Sequence, residues 1–172
     1  MTKQELIAQC CQNHLDVVRY VDTLTAEQFM YSFHGKWTAG QQLSHVYLTL
    51  LPFPKVLASK DFILQKFGTT DRPSRDCDTI VSAYLSTSLK APEQYLPAEV
   101  RPEQKAVLVS GIHETLSAIR HLLDSYSEAE MDSLLLPHPL MGHLTIREMF
   151  CLMGYHATHH LRQLQQHPAG GN

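Results

Sequence analysis

A chain of 172 residues with 44% hydrophobic content is long enough to enclose one core and too apolar to be disordered. Its formal net charge is -3 and no run of lysine or arginine occurs, which argues against nucleic acid and acidic membrane surfaces as partners. The polar start MTKQELIAQCC lacks the apolar stretch of a secretory signal, and no apolar run nears the ~20 residues that cross a bilayer. The four cysteines (Cys10, Cys11, Cys77 and Cys151) form no CxxC pair and read as reduced thiols, so the expected address is the cytoplasm.

The first predicted helix runs from about Lys3 to Asp22, with Leu6, Cys10, Val17 and Val21 near one face. A second opens at Thr38, a residue suited to an N-cap, and carries Leu43, Val46, Tyr47 and Leu50 before Pro52 and Pro54 interrupt it. About fifty residues follow, with a helix expected over Lys55–Phe67, a polar bend TTDRPSRD, a helix over Asp76–Lys90 and the stretch APEQYLPAEVRPE. A third long helix spans about Pro102 to Tyr126, placing Val109, Ile112, Leu116, Ile119 and Leu123 on one stripe. The last opens at Thr145 with Glu148 three positions on, the capping-box spacing, and continues until Pro168 and two glycines end it. Strand signals are weak, with no Asn-Gly or Asp-Gly turn. The pattern predicts an all-α fold in one domain, residues 1–172: a four-helix bundle with a long, partly helical crossover between helices 2 and 3.

Eleven histidines stand against 14 lysines and arginines together, an excess in the commonest metal ligand and acid/base side chain. In HATHH, His156 and His160 project from one helix face, and that face is the apolar one of Ile146, Met149, Met153 and Leu164. Buried imidazoles need partners for their ring nitrogens, which a bound metal supplies to both at once, or carbonyls and water supply at a bundle margin. Ala157 stands where the HExxH metalloproteases carry glutamate, which disfavours peptide hydrolysis by that route. His159 lies about 100° around the helix, off the ligand face. A third ligand must come from elsewhere, and His45, beside Leu43 and Val46, is the best placed, with His14 in reserve. His113 and His121 fall on a polar side, and His34, His138 and His143 in loops, with His167 at the chain end.

GKWTAGQQLSHVYLTL, LPHPLMGHLTIREMF and GYHATHHLRQL, in this order, resemble the DinB/YfiT-like superfamily of bacterial metal-binding proteins across nearly the whole chain. The resemblance implies an up-down-down-up four-helix bundle, often a homodimer, with nickel, zinc or a similar divalent ion at one end. It carries the ligand role to His45, His156 and His160, gives Trp37 the packing of the second helix's start, and makes His138 a loop-fixing residue rather than a fourth ligand.

Three neutral nitrogens leave a divalent ion with open positions, the mark of a reactive site. The resemblance implies a metal-dependent enzyme acting on a small-molecule substrate, in which the ion activates a low-molecular-weight thiol or water for transfer to, or hydrolysis of, an electrophile. The alternative from another class is a non-catalytic metal-binding or stress-response bundle acting as a dimer. No residue has the spacing of a general base, and the catalytic residues are unknown at this stage; Cys151, rotated off the ligand face, reads as packing.

Overall fold

The structure, a computed structural model, describes residues 1–166, which are mostly helical. In chain order the helices are α1 (Lys3–Asp22), α2 (Ala26–Met30), α3 (Ala39–Leu50), α4 (Pro52–Leu57), α5 (Lys60–Phe67), α6 (Cys77–Leu85), α7 (Lys105–Asp124), α8 (Glu128–Ser133) and α9 (Ile146–Gln166). Single 3-10 turns occupy Glu93–Tyr95 and Pro102–Gln104, and strands β1 (Leu135–His138) and β2 (Gly142–Thr145) precede α9. The expected end of the last helix at Pro168 lies, like His167, outside the described residues.

Local chemistry explains the helix starts. Thr2 with Glu5 and Thr38 with Gln41 form reciprocal capping boxes, and so do Thr145 and Glu148, whose side chains accept each other's backbone N–H at 3.2 and 3.0 Å. The second long helix ends at Leu50, as expected, and Pro52 opens a new helix. It occupies the first turn of α4, where the missing N–H has no intrahelical partner to lose. The helix expected over Lys55–Phe67 is divided, because Ser59 caps α5 by accepting from Phe62 N–H at 3.1 Å. The helix expected over Asp76–Lys90 ends at Leu85, and the third long helix begins with a 3-10 turn at Pro102.

The short hairpin was not expected from the sequence. Its three-residue loop joins His138 to Gly142, which takes φ +68° in the left-handed region open to glycine. Pro137 is tolerated because a two-stranded ribbon has only edge strands.

Side-chain pairings fix the directions of the four long helices. Arg147 meets Met1, Asn13 donates to Gly154 O, and Tyr20 donates to Leu164 O, so α1 and α9 run parallel. Helix α7 runs against α1, with lysines clamping both ends of the pair. Buried Lys3 donates from Nζ to the carbonyls of Leu123, Asp124 and Tyr126, and Lys105 donates to those of Val21 and Leu24. Each ammonium thereby satisfies carbonyls that a helix C-terminus leaves unpaired. Helix α3 packs on α7, where Gly111 leaves room for the Tyr47 ring; an added Cβ would stand 2.6 Å from it. The shared core includes Val17, Leu43, Leu50, Ile112, Leu123, Phe150 and Leu164.

The polar bend of the crossover is tied to the start of α9 by Glu148. Its carboxylate is fully buried and accepts from Arg72 Nη1 and Nη2 at 2.5 and 2.8 Å, from Arg75 backbone N–H at 2.9 Å and from Arg75 Nε at 3.0 Å. Burial pushes the carboxyl pKa up, but the guanidinium and backbone donors outweigh it and hold it well below the usual carboxylate range. Its contribution is thus full above the unfolded value near ~4.3 and is lost as pH falls below it. Glu148→Ala removes these bonds and leaves Thr145 N–H buried; we expect a loss of about 2–4 kcal/mol, read by urea denaturation at pH 7.

The expectation of four reduced thiols is corrected. Cys77 and Cys151 are joined in a disulfide, because α6 packs on α9 and brings their Cα atoms to 5.2 Å, within bridging reach. The 74-residue separation gives no hint of this contact in the sequence, and the free thiols are Cys10 and Cys11. The thiol argument for a cytoplasmic address therefore falls away; no helix among the described residues is long and apolar enough to cross a membrane. Thiol titration of unreduced, denatured protein should count two reactive cysteines, and four would remove the bridge.

Candidate metal centre

Three of the eleven histidines meet at one point. His45 comes from the middle of α3, and His156 and His160 from successive turns of α9, all with side chains turned inward. His45 Nε2 lies 3.0 Å from His156 Nε2, and His160 Nε2 lies 3.1 Å from the same atom. The three donor atoms fall within 4.8 Å of one another, close enough to bind a single metal ion. Bonds of ~2.0–2.1 Å would place ligand nitrogens about 3.3 Å apart at tetrahedral angles and about 2.9 Å apart at right angles. The two spacings to His156 Nε2, 3.0 and 3.1 Å, fall between these.

The opposite ring nitrogens explain which way the lone pairs point. His45 Nδ1–H donates to the Tyr95 carbonyl at 2.7 Å, and His160 Nδ1–H donates to Gln42 Oε1 at 2.7 Å. A backbone carbonyl can only accept, so His45 carries its proton on Nδ1 and presents a bare Nε2. The Gln42 bond gives His160 the same tautomer. With two bare Nε2 atoms facing His156 Nε2, one ring proton cannot serve both short contacts well, whereas a cation at their centre satisfies all three. The donor set fits a metal.

Burial, first of all, lowers the pKa of each of the three rings, and the other histidines nearby lower those of His156 and His160 further. All three are therefore neutral at pH 7, the form in which imidazole ligates. His156 Nδ1 has no hydrogen-bond partner among the described residues, and neither does His14 Nε2.

The remaining sites named from the sequence are arranged as follows. His14, the reserve ligand, is buried but outside the cluster, and its Nδ1–H donates to Cys10 O at 2.7 Å. His138 accepts from Leu140 N–H at 3.2 Å and so fixes the hairpin loop, with Tyr84 edge-on to its ring. His159 is half-buried, with its Nε2 2.9 Å from Gln163 Nε2. His113, His121, His34 and His143 are exposed. Trp37 does more than pack the start of α3, since its ring lies 4.9 Å from that of His45 and stacks at 6.4 Å on that of His160.

Two orienting groups escaped the sequence reading. Gln42 precedes His45 by three residues, so the i,i+3 rule could have placed them on one face. Tyr95 acts through its carbonyl, and no side-chain pattern reveals that.

The imidazoles form part of the wall of a cavity of about 900 Å³. Its other walls come from α1 through Tyr20, from the hairpin through Leu136 and His138, and from the crossover through Phe53, Phe67, Tyr84 and Tyr95. No protein-family model, curated protein or solved structure matches this chain.

Replacing Gln42 by Leu deprives His160 Nδ1–H of its acceptor while keeping the side chain's bulk. We expect about a 10–100-fold loss of zinc affinity in chelator competition, and a loss of about 1–3 kcal/mol in the metal-free protein from the orphaned N–H. His14→Gln should leave the bound zinc per chain as it is.

Proposed function

We propose that the chain is a metal-dependent enzyme of the DinB/YfiT type, holding nickel or zinc through His45, His156 and His160. The observation that carries this reading is the convergence of three buried Nε2 atoms, two of them aimed by fixed Nδ1–H bonds. Closed structural sites use four protein ligands, whereas three neutral nitrogens beside a large cavity leave room for a reactant. A four-helix bundle of up-down-down-up order agrees with the helix directions, α1 parallel to α9, α3 against α9 and α7 against α1.

A divalent ion at this position supplies Lewis acidity, lowering the pKa of a thiol or water that reaches it. The chain's own groups do the positioning. Gln42 and Tyr95 O hold two rings in one tautomer, so neither can release its Nδ1 proton without breaking a bond. Trp37 packs on the rings of His45 and His160. The crossover, tied down by Glu148, supplies apolar wall that keeps bulk water from the electrophile. The reaction class best suited to these parts is attack of an external thiol or water on a small electrophile, with no nucleophile contributed by the protein.

Untagged protein should retain about one equivalent of metal per chain by elemental analysis, and less than about a tenth would overturn the reading. Because the three histidines have folded pKa values below the unfolded ~6.5, their contribution is full above that pH and is lost as pH falls beneath it. Acid should also expel the metal. The melting temperature should therefore drop on adding chelator at pH 7.5 and again between pH 6.5 and 5; indifference to both would count against the site.

A further inference from the structure

The cavity over the three imidazoles has a composition that differs from the chain's. The protein carries 17 acidic residues and a net charge of -3, yet among the described residues no carboxylate side chain lines the cavity. Among the described residues the charged side chains on its wall are Lys36 and Lys90, both cations. The rest of the wall is largely apolar and aromatic, with Trp37, four tyrosines, three phenylalanines and aliphatic side chains such as Leu136 and Met153, and its other polar members, among them Thr49, Gln163 and His159, are neutral amides, hydroxyls and imidazoles.

These features constrain an occupant in three ways. A largely apolar wall favours an apolar body, because burying apolar surface is favourable and few polar partners are offered to a polar one. A cavity of about 900 Å³ suits a molecule of drug-like size and excludes a folded partner. An ammonium or guanidinium would meet no carboxylate side chain among the described residues to compensate its lost hydration, whereas an anion meets Lys90 and, at the imidazoles, the ion they are arranged to hold.

We propose that the cavity takes a small monoanionic amphiphile, a carboxylic or comparable acid on an aromatic or branched aliphatic body, with its anionic end toward the three-imidazole site. The inference deepens the metalloenzyme reading and rests on it for the placement of the anionic end. The preference for acids over amines rests on the cavity wall alone.

Trp37 is the single tryptophan of the chain and lines the cavity beside His45, so its fluorescence reports occupancy there without a label. Titration with 4-phenylbutyrate, 4-phenylbutanol and 4-phenylbutylamine compares one body with three head groups. In the zinc-loaded protein we expect the acid to bind about tenfold or more tighter than the alcohol, with the amine weakest. In the metal-free protein the same order should persist with a smaller spread. Lys90→Glu, an exposed substitution, should weaken the acid and strengthen the amine. An amine that binds as tightly as the acid, or no Trp37 response and no calorimetric heat from any of the three, overturns the inference. A protein that retains no zinc overturns the metal reading instead, and the metal-free titration still decides whether the wall selects acids.

Discussion

Three imidazole rings buried in an otherwise apolar interior must all find partners for their nitrogens, and that requirement organises one end of this molecule. Gln42 and the Tyr95 carbonyl take up the Nδ1 protons of His160 and His45, and the Nε2 atoms are left facing one another. Without a cation, the contacts at 3.0 and 3.1 Å share one ring proton among three nitrogens.

Two of the rings are on adjacent turns of α9, so their spacing follows from helix geometry alone. The third is on α3, and its distance depends on the whole route of the chain between residues 50 and 146. That route is fastened at several points. Glu148 binds the bend at Arg72 and Arg75, Thr70 N–H donates to Ser133 O, and the Cys77–Cys151 bridge joins α6 to the second turn of α9. These ties set the crossover over the imidazoles, and the same segment places the Tyr95 carbonyl. The crossover thus covers the cavity and orients a ligand ring at once.

Charge is distributed by the same logic. Acidic side chains serve where they accept from helix N-termini and guanidinium groups, as Glu5, Glu128, Glu130 and Glu148 do. Among the described residues none of the acidic side chains lines the cavity. Lysines do corresponding work at helix C-termini, where Lys3 and Lys105 close the antiparallel pair of α1 and α7.

Whatever is encoded over three or four residues could be read from the chain directly. The boundaries of α1, the Thr38 and Thr145 caps, the apolar stripe of α9 and the shared face of His156 and His160 all follow from i,i+3 and i,i+4 spacing. The same reasoning placed His45 on an inward face without fixing its distance from α9. The hairpin escaped notice because its turn uses Gly142 after a three-residue loop rather than a two-residue glycine turn. Only the tertiary structure decided that His45 meets His156 across 111 residues, that Tyr95 holds its ring across 50, that Cys77 meets Cys151, and that Glu148 caps a helix while anchoring two arginines. Those pairings depend on how the crossover folds back, and no local preference records where a long connection returns.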